Sequence, residues 1–210
     1  MTLLRIDASI QGPNSASSAL ADLVVTEYSM ARPEARVVAR HLGEQPLPSD
    51  AWATAIGASW TPEGGRTPEQ RSALALATSI ADELRHADAA VLALPLYNWG
   101  VSQHVKTWID LAIAGAPHGA RLLDGKPVVL LTTRGGAYGP GTPKEGWDHN
   151  LDYLRRIISD VWGADLTVIE RELTLVGVNP ALDDFAETAE LMKKLAEESA
   201  ADAGQVLASR

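Results

Sequence analysis

The chain has 210 residues, enough for one α/β domain with a full hydrophobic core, whereas two domains in that length would each be small. With 46% hydrophobic and 21% charged residues it has the balance of a folded protein, and a net charge of −9 without any lysine- or arginine-rich run argues against nucleic acid as a partner. The absence of cysteine excludes disulfides, thiolate metal ligands and cysteine nucleophiles. Arg5 and Asp7 stand where a signal peptide needs apolar residues, and no apolar run nears the ~20 residues that span a bilayer, so a cytoplasmic protein with no membrane partner is expected.

Short apolar runs alternate with longer helical patterns, the sequence form of a parallel sheet covered on both faces. Leu3 to Ala8 reads as a strand, and Ser15 to Met30 as a helix with Leu20, Val24 and Tyr28 at helical spacing. Ala35 to His41 reads as a second strand. The stretch from Gly43 to Gly65, rich in Pro, Gly and Trp, has no clear period and is read as a long excursion. Thr67-Pro68-Glu69-Gln70 starts the next helix, with Thr67 as cap, Pro68 in the first turn and Gln70 completing a capping box, and the helix runs to about His86.

Ala89 to Pro95 is a continuous apolar run, as suits a strand buried on both faces. Val101, Val105, Trp108, Ile109 and Ala112 then share one helix face. A fourth strand is expected over Pro127 to Thr133, a helix over Trp147 to Trp162, a fifth strand over Asp165 to Arg171 and a final helix over Pro180 to Ala203. That last pattern is acidic, with seven carboxylates and two lysines between Asp183 and Asp202, and is read as a solvated face. The five strands and five helices describe a doubly wound sheet forming one domain over residues 1–210, in which ligands bind beyond the carboxyl ends of the strands.

Three loops at such strand ends carry chemistry. Ser9-Ile10-Gln11-Gly12-Pro13-Asn14-Ser15-Ala16-Ser17 leads into a helix start, where unpaired amides and the hydroxyls of Ser9, Ser15 and Ser17 make an anion site. Lacking both Gly-x-Gly-x-x-Gly and Gly-Lys-Ser/Thr, it suits a single terminal phosphate, the plainer reading being that Asn14 or Ser15 only caps the helix. Pro95-Leu96-Tyr97-Asn98-Trp99-Gly100-Val101 offers two aromatic rings, an amide side chain and a glycine to a flat heteroaromatic ring, or else its rings finish the core. Thr132-Thr133-Arg134-Gly135-Gly136-Ala137-Tyr138-Gly139 allows close backbone approach at its glycine pair with Tyr138 closing over it, or else is a hinge. His41, His86, His104, His118 and His149 form no metal-ligand spacing.

In chain order these motifs resemble the FMN-dependent NADH-azoreductases, also called FMN-dependent NADH:quinone oxidoreductases. The likeness rests on Ser9-x5-Ser15-x-Ser17-x2-Leu20, on Pro95-Leu96-Tyr97-Asn98-Trp99 with Lys106-Thr107-Trp108-Ile109-Asp110, on Arg134-Gly135-Gly136-x-Tyr138 and on Val176-Gly177-Val178-Asn179-Pro180. It implies a flavodoxin-like five-stranded parallel sheet of order 2-1-3-4-5 with helices on both faces. It further implies FMN phosphate on Ser9, Ser15 and Ser17, isoalloxazine contacts from Leu96, Tyr97, Asn98 and Trp99, further cofactor contacts from Thr133, Arg134, Gly135, Gly136 and Tyr138, and Ala16 and Pro95 among the cofactor-binding residues. NADH or NADPH as co-substrate, a quinone or azo compound as acceptor, a ping-pong cycle and a homodimer with sites at its interface belong to the same expectation. Backbone donors around Tyr97 to Trp99 and Gly135 to Gly136 would then stabilise negative charge on the reduced ring. The chain departs from the family between Ala114 and Lys126, a short segment without Phe, Tyr or Trp where family members often carry a longer aromatic one. His118 and Trp60 are the candidates to replace that cover. Two other classes compete: a one-electron flavodoxin-type carrier, and a non-flavin hydrolase-like domain, which the absence of a Gly-x-Ser-x-Gly elbow disfavours.

Overall fold

In the computed structural model, which describes residues 1–210, the strands β1 (Thr2–Asp7), β2 (Arg36–His41), β3 (Ala89–Ala93), β4 (Pro127–Thr133) and β5 (Asp165–Arg171) form one sheet. Its order is β2-β1-β3-β4-β5 and every pairing is parallel, the doubly wound flavodoxin-like arrangement expected. All five residues of β3 are buried because it lies at the sheet centre with helices on both faces.

The period of two along the strands sorts the core into two layers. Leu3, Val91, Val129 and Leu131 face α1 (Ala16–Ala31) and the last helix. Leu4, Ile6, Leu92, Val128 and Leu130 face the opposite layer, built from α2 (Ala51–Ser59), α3 (Pro68–His86), α4 (Gln103–Ala114) and α5 (Leu151–Arg155), the last continued by a π-helical stretch at Arg156–Val161. Trp108 of α4 and Trp162 at the end of that stretch meet edge to face at 5.4 Å within this layer. The Thr67–Gln70 capping box forms as expected, and Ser102 caps α4.

Three departures have local causes. The excursion contains α2, whose buried face is Ala51, Ala55 and Ala58 while Trp52 and Ile56 point outward, so the strongest hydrophobes mark the wrong side of the helix. The helix expected from Trp147 begins at Leu151, because Asp148 Oδ1 accepts from the amides of Asn150 (2.7 Å) and Leu151 (3.0 Å) and leaves Trp147 in the preceding loop. Finally, Pro180–Phe185 is a 3₁₀ turn and the final helix α6 spans Ala186–Ser209. None of the helices is long and apolar enough to cross a membrane.

The packing of α6 on α1 is close. A Cβ on Gly204 would lie 2.5 Å from the Val24 carbonyl oxygen and 2.7 Å from Glu27 Cβ. Gly204→Ala gains about 1 kcal/mol of helix propensity but must part the two helices against a backbone atom, an overpacking cost of about 1–3 kcal/mol. A net loss of stability is expected, seen as a lower urea midpoint; an unchanged or higher midpoint would show that the helices separate freely.

Candidate functional site

The ends of β1, β3 and β4 are tied together beyond the strands themselves. Ala8 N donates to Ala93 O (3.0 Å), Leu94 N to Leu131 O (2.9 Å) and Leu96 N to Thr133 O (3.0 Å), so the ladder continues into the three loops. Pro95 and Thr133 are buried as a result, and Leu96 is half-buried.

At the β1 end, Gly12 takes φ +53° in a 3₁₀ turn that swings the chain into α1, a conformation easiest for glycine. Ser15 Oγ caps α1 by accepting from Ser18 N (3.1 Å) and shares a bond of 3.2 Å with Ser17 Oγ. The amides of Ala16 and Ser17 make no hydrogen bond within the chain, as at any helix start. Ser9, Ser15 and Ser17 are all buried, an unusual concentration of hydroxyls around unpaired donors. Ser15 therefore caps α1 and belongs to this buried hydroxyl cluster as well.

Tyr97 joins this loop to the next: its hydroxyl accepts from Ile10 N (3.0 Å) and bonds Ser9 Oγ (3.3 Å). Tyr97 and Gly100 exchange both backbone bonds around a tight turn, with Asn98 at φ +48° and Trp99 at φ +64°. A bulky residue in that region is strained, and strain of this kind collects at functional sites. The amides of Asn98 and Trp99 carry no intrachain bond. Beside them opens a cleft of about 550 Å³ lined by Asn98, Trp99, Gly100, Trp147 and His149. Trp99 and Trp147 meet at 6.2 Å and 66°, each about half exposed, and His149 N donates to Trp99 O (2.9 Å). Neither His118 nor Trp60, itself 84% exposed, lines this cleft; the aromatic wall comes from Trp147, in the segment after β4.

The β4 loop divides its expected residues. Gly135 O and Gly136 O accept from Leu175 N and Leu173 N, each at 3.1 Å, so this stretch extends the sheet toward the segment after β5. A Cβ on Gly135 would lie 2.6 Å from Leu175 Cδ1, so that glycine makes room for a side chain of the same protein. Tyr138 is half-buried with Lys144 Nζ 5.3 Å from its ring centroid. Arg134, 6% exposed in its side chain, is bound on three sides: Nε to Asp148 Oδ2 (2.5 Å), Nη1 to Glu170 Oε2 (2.6 Å) and Nη1 to Glu172 Oε1 (3.3 Å). Burial alone would lower its pKa, but these carboxylates outweigh it and raise the pKa above the ordinary arginine value. Asp148, Glu170, Glu172, Trp147 and His149 escaped the sequence reading. Asp148-x-Asn150 before Leu151 was a visible helix-start signal, whereas nothing local pairs Arg134 with acids 14 to 38 positions away.

The sheet order and the three strand-end loops define a flavodoxin-like protein, and the profile of the flavodoxin-like fold family (Flavodoxin_2) matches residues 1–197. A protein of Frankia alni is 37% identical over 193 residues, covering 90% of this chain and 91% of that protein. Another, of Streptomyces avermitilis, is 34% identical over 213 residues, covering 100% of this chain and 98% of that protein. Both are named FMN-dependent NADH:quinone oxidoreductase, and the chain belongs to their family. Among solved structures, azoreductase AzrA superposes with a TM-score of 0.79 at 22% identity over 98% of this chain and 99% of that one. An FMN-dependent NADH-azoreductase of Bacillus anthracis, in complex with FMN, gives 0.74 at 18% over 97% and 99%. At those identities the likeness establishes the shared fold.

Because the space over Gly135 is taken by the end of the Leu175 side chain, itself 41% exposed and able to swing aside, Gly135→Ala should cost about 1 kcal/mol of stability or less, and adding Leu175→Ala should recover part of it. Urea denaturation of the two single variants and the double variant measures the coupling, and strict additivity would refute the contact.

Proposed function

We propose that the protein is an FMN-dependent oxidoreductase carrying two electrons from NADH or NADPH to quinones or azo compounds. The observation that carries this reading is the cup at the start of α1, where three buried hydroxyls surround two unpaired amides and Tyr97 links the cup to a strained aromatic turn. The relatives named above, alike over nearly their whole length, support the cofactor and the donor.

The donor set fits FMN. Ser9, Ser15 and Ser17 with the amides of Ala16 and Ser17 would hold one phosphate by neutral donors and the α1 dipole. Pro95, Leu96, Tyr97, Asn98 and Trp99 on one side, and Thr133 with the backbone of Arg134, Gly135 and Gly136 on the other, would flank the ring edge. When bound, the flavin supplies two-electron chemistry that serves nicotinamide and acceptor in turn, a ping-pong order. The free amides of Asn98 and Trp99 would donate to developing negative charge without reorganising, since the turn is already locked by Tyr97 and Gly100. Trp99 and Trp147 would give flat substrates an apolar wall and keep water from it. Their half-exposed pair also favours a homodimer in which a second copy covers the open side of the cleft, testable by sedimentation equilibrium.

Ser17→Ala removes a hydroxyl that no helix cap needs. A hydrogen bond to a charged group is worth about 1.5–3 kcal/mol, so the FMN Kd should rise roughly 10- to 100-fold in a flavin fluorescence titration. An unchanged Kd would refute the phosphate assignment. In stopped-flow mixing with NADH the yellow colour should bleach rapidly, and steady-state rates with a quinone and an azo dye then rank the acceptors. Slow bleaching would place the chain among one-electron carriers instead.

A further inference from the structure

The segment that brings Trp147 and His149 to the cleft is held mostly by bonds within itself, with His149 N donating to Trp99 O (2.9 Å). From Gly139 to Gly146 it runs through Gly139-Pro140-Gly141-Thr142-Pro143, with Gly141 and Gly146 at positive φ, and most of it is exposed. Asp148 is the anchor at its far end. One oxygen of Asp148 takes the amides of Asn150 and Leu151 and so fixes the start of α5. The other takes Arg134 Nε. The guanidinium is in turn held by Glu170 and Glu172 at the end of β5, and the Arg134 carbonyl accepts from Thr174 N and Thr174 Oγ1, both at 3.1 Å. The chain neighbours of Asp148 on both sides, Trp147 and His149, line the cleft with Trp99.

We propose that Arg134 is a positioning residue: through Asp148 it sets the Trp147 wall of the cleft that receives planar aromatic substrates, and its side chain does not contact the cofactor. The assignment rests on the reading of the cleft as a substrate site. It stands in place of a side-chain version of the cofactor contact that the family resemblance implies for Arg134. Nε and Nη1 of this buried guanidinium are held by three carboxylates of its own fold, and turning either toward a ligand would leave an acid unpaired.

The test uses Asp148→Asn, which keeps the oxygen that starts α5 and puts an amide group against Arg134 Nε, and Arg134→Lys, which keeps the charge but cannot span three acids. In the FMN-loaded protein both variants should raise KM for the quinone and for NADH roughly fivefold or more with kcat within about twofold, the pattern of lost binding rather than lost chemistry. FMN affinity should stay within about twofold of the parent. In the cofactor-free protein, circular dichroism should show that both variants lose the part of the tryptophan exciton couplet that Trp147→Phe removes. Unchanged KM and couplet in both variants would overturn the proposal. So would weakened FMN binding in Arg134→Lys with Asp148→Asn unaffected, which would make Arg134 a direct contact. Failure of the parent protein to bind FMN would instead sink the functional reading, while the couplet would still report on the clamp.

Discussion

The pairing of β1, β3 and β4 in parallel register is the constraint on which the site depends. Parallel strands end side by side at the same edge, and here the ladder runs on through Ala8, Leu94 and Leu96 before the chain leaves the sheet. Three loops far apart in sequence are thereby fixed relative to one another by backbone bonds, with little dependence on what their side chains are. The aromatic turn and the hydroxyl cup can each be strained or under-bonded because the central strands β1, β3 and β4 beneath them are largely buried and paired on both sides.

Electrostatics follow an economical pattern for so acidic a chain. The cup proposed to hold the phosphate offers hydroxyls, free amides and the end of a helix, so no cation would have to be desolvated there. The one deeply buried arginine near the site, Arg134, faces three acids instead and works as internal scaffolding. A buried ion pair adds little net stability but is costly to break, which suits a joint whose task is to keep one geometry.

Trp99 illustrates how strain is held. A left-handed conformation costs a non-glycine residue about 1–2 kcal/mol, and it persists because Tyr97 and Gly100 close the turn and His149 binds the Trp99 carbonyl. The ring is thus presented half-exposed beside Trp147 rather than folded into the core.

The strands, most helices, the sheet class and the three loops were legible in the residues themselves, because apolar period, caps and glycine positions are local properties that the backbone must obey. The strand order and the family came from the ordered set of motifs, where no single one would have sufficed. What the sequence could not settle depended on distant neighbours. The helix α2 hid behind outward-facing Trp52 and Ile56, since its partner surface accepts only alanines. Glu170 and Glu172 reach Arg134 from the next strand, and Leu175 lies over Gly135, contacts that no local spacing announces. Trp147 reached the cleft only because Asp148 starts the helix one turn later than the apolar pattern suggests. Pairings across the sheet edge belong to the tertiary structure alone, because which charges and side chains meet there is decided by chain topology and not by spacing.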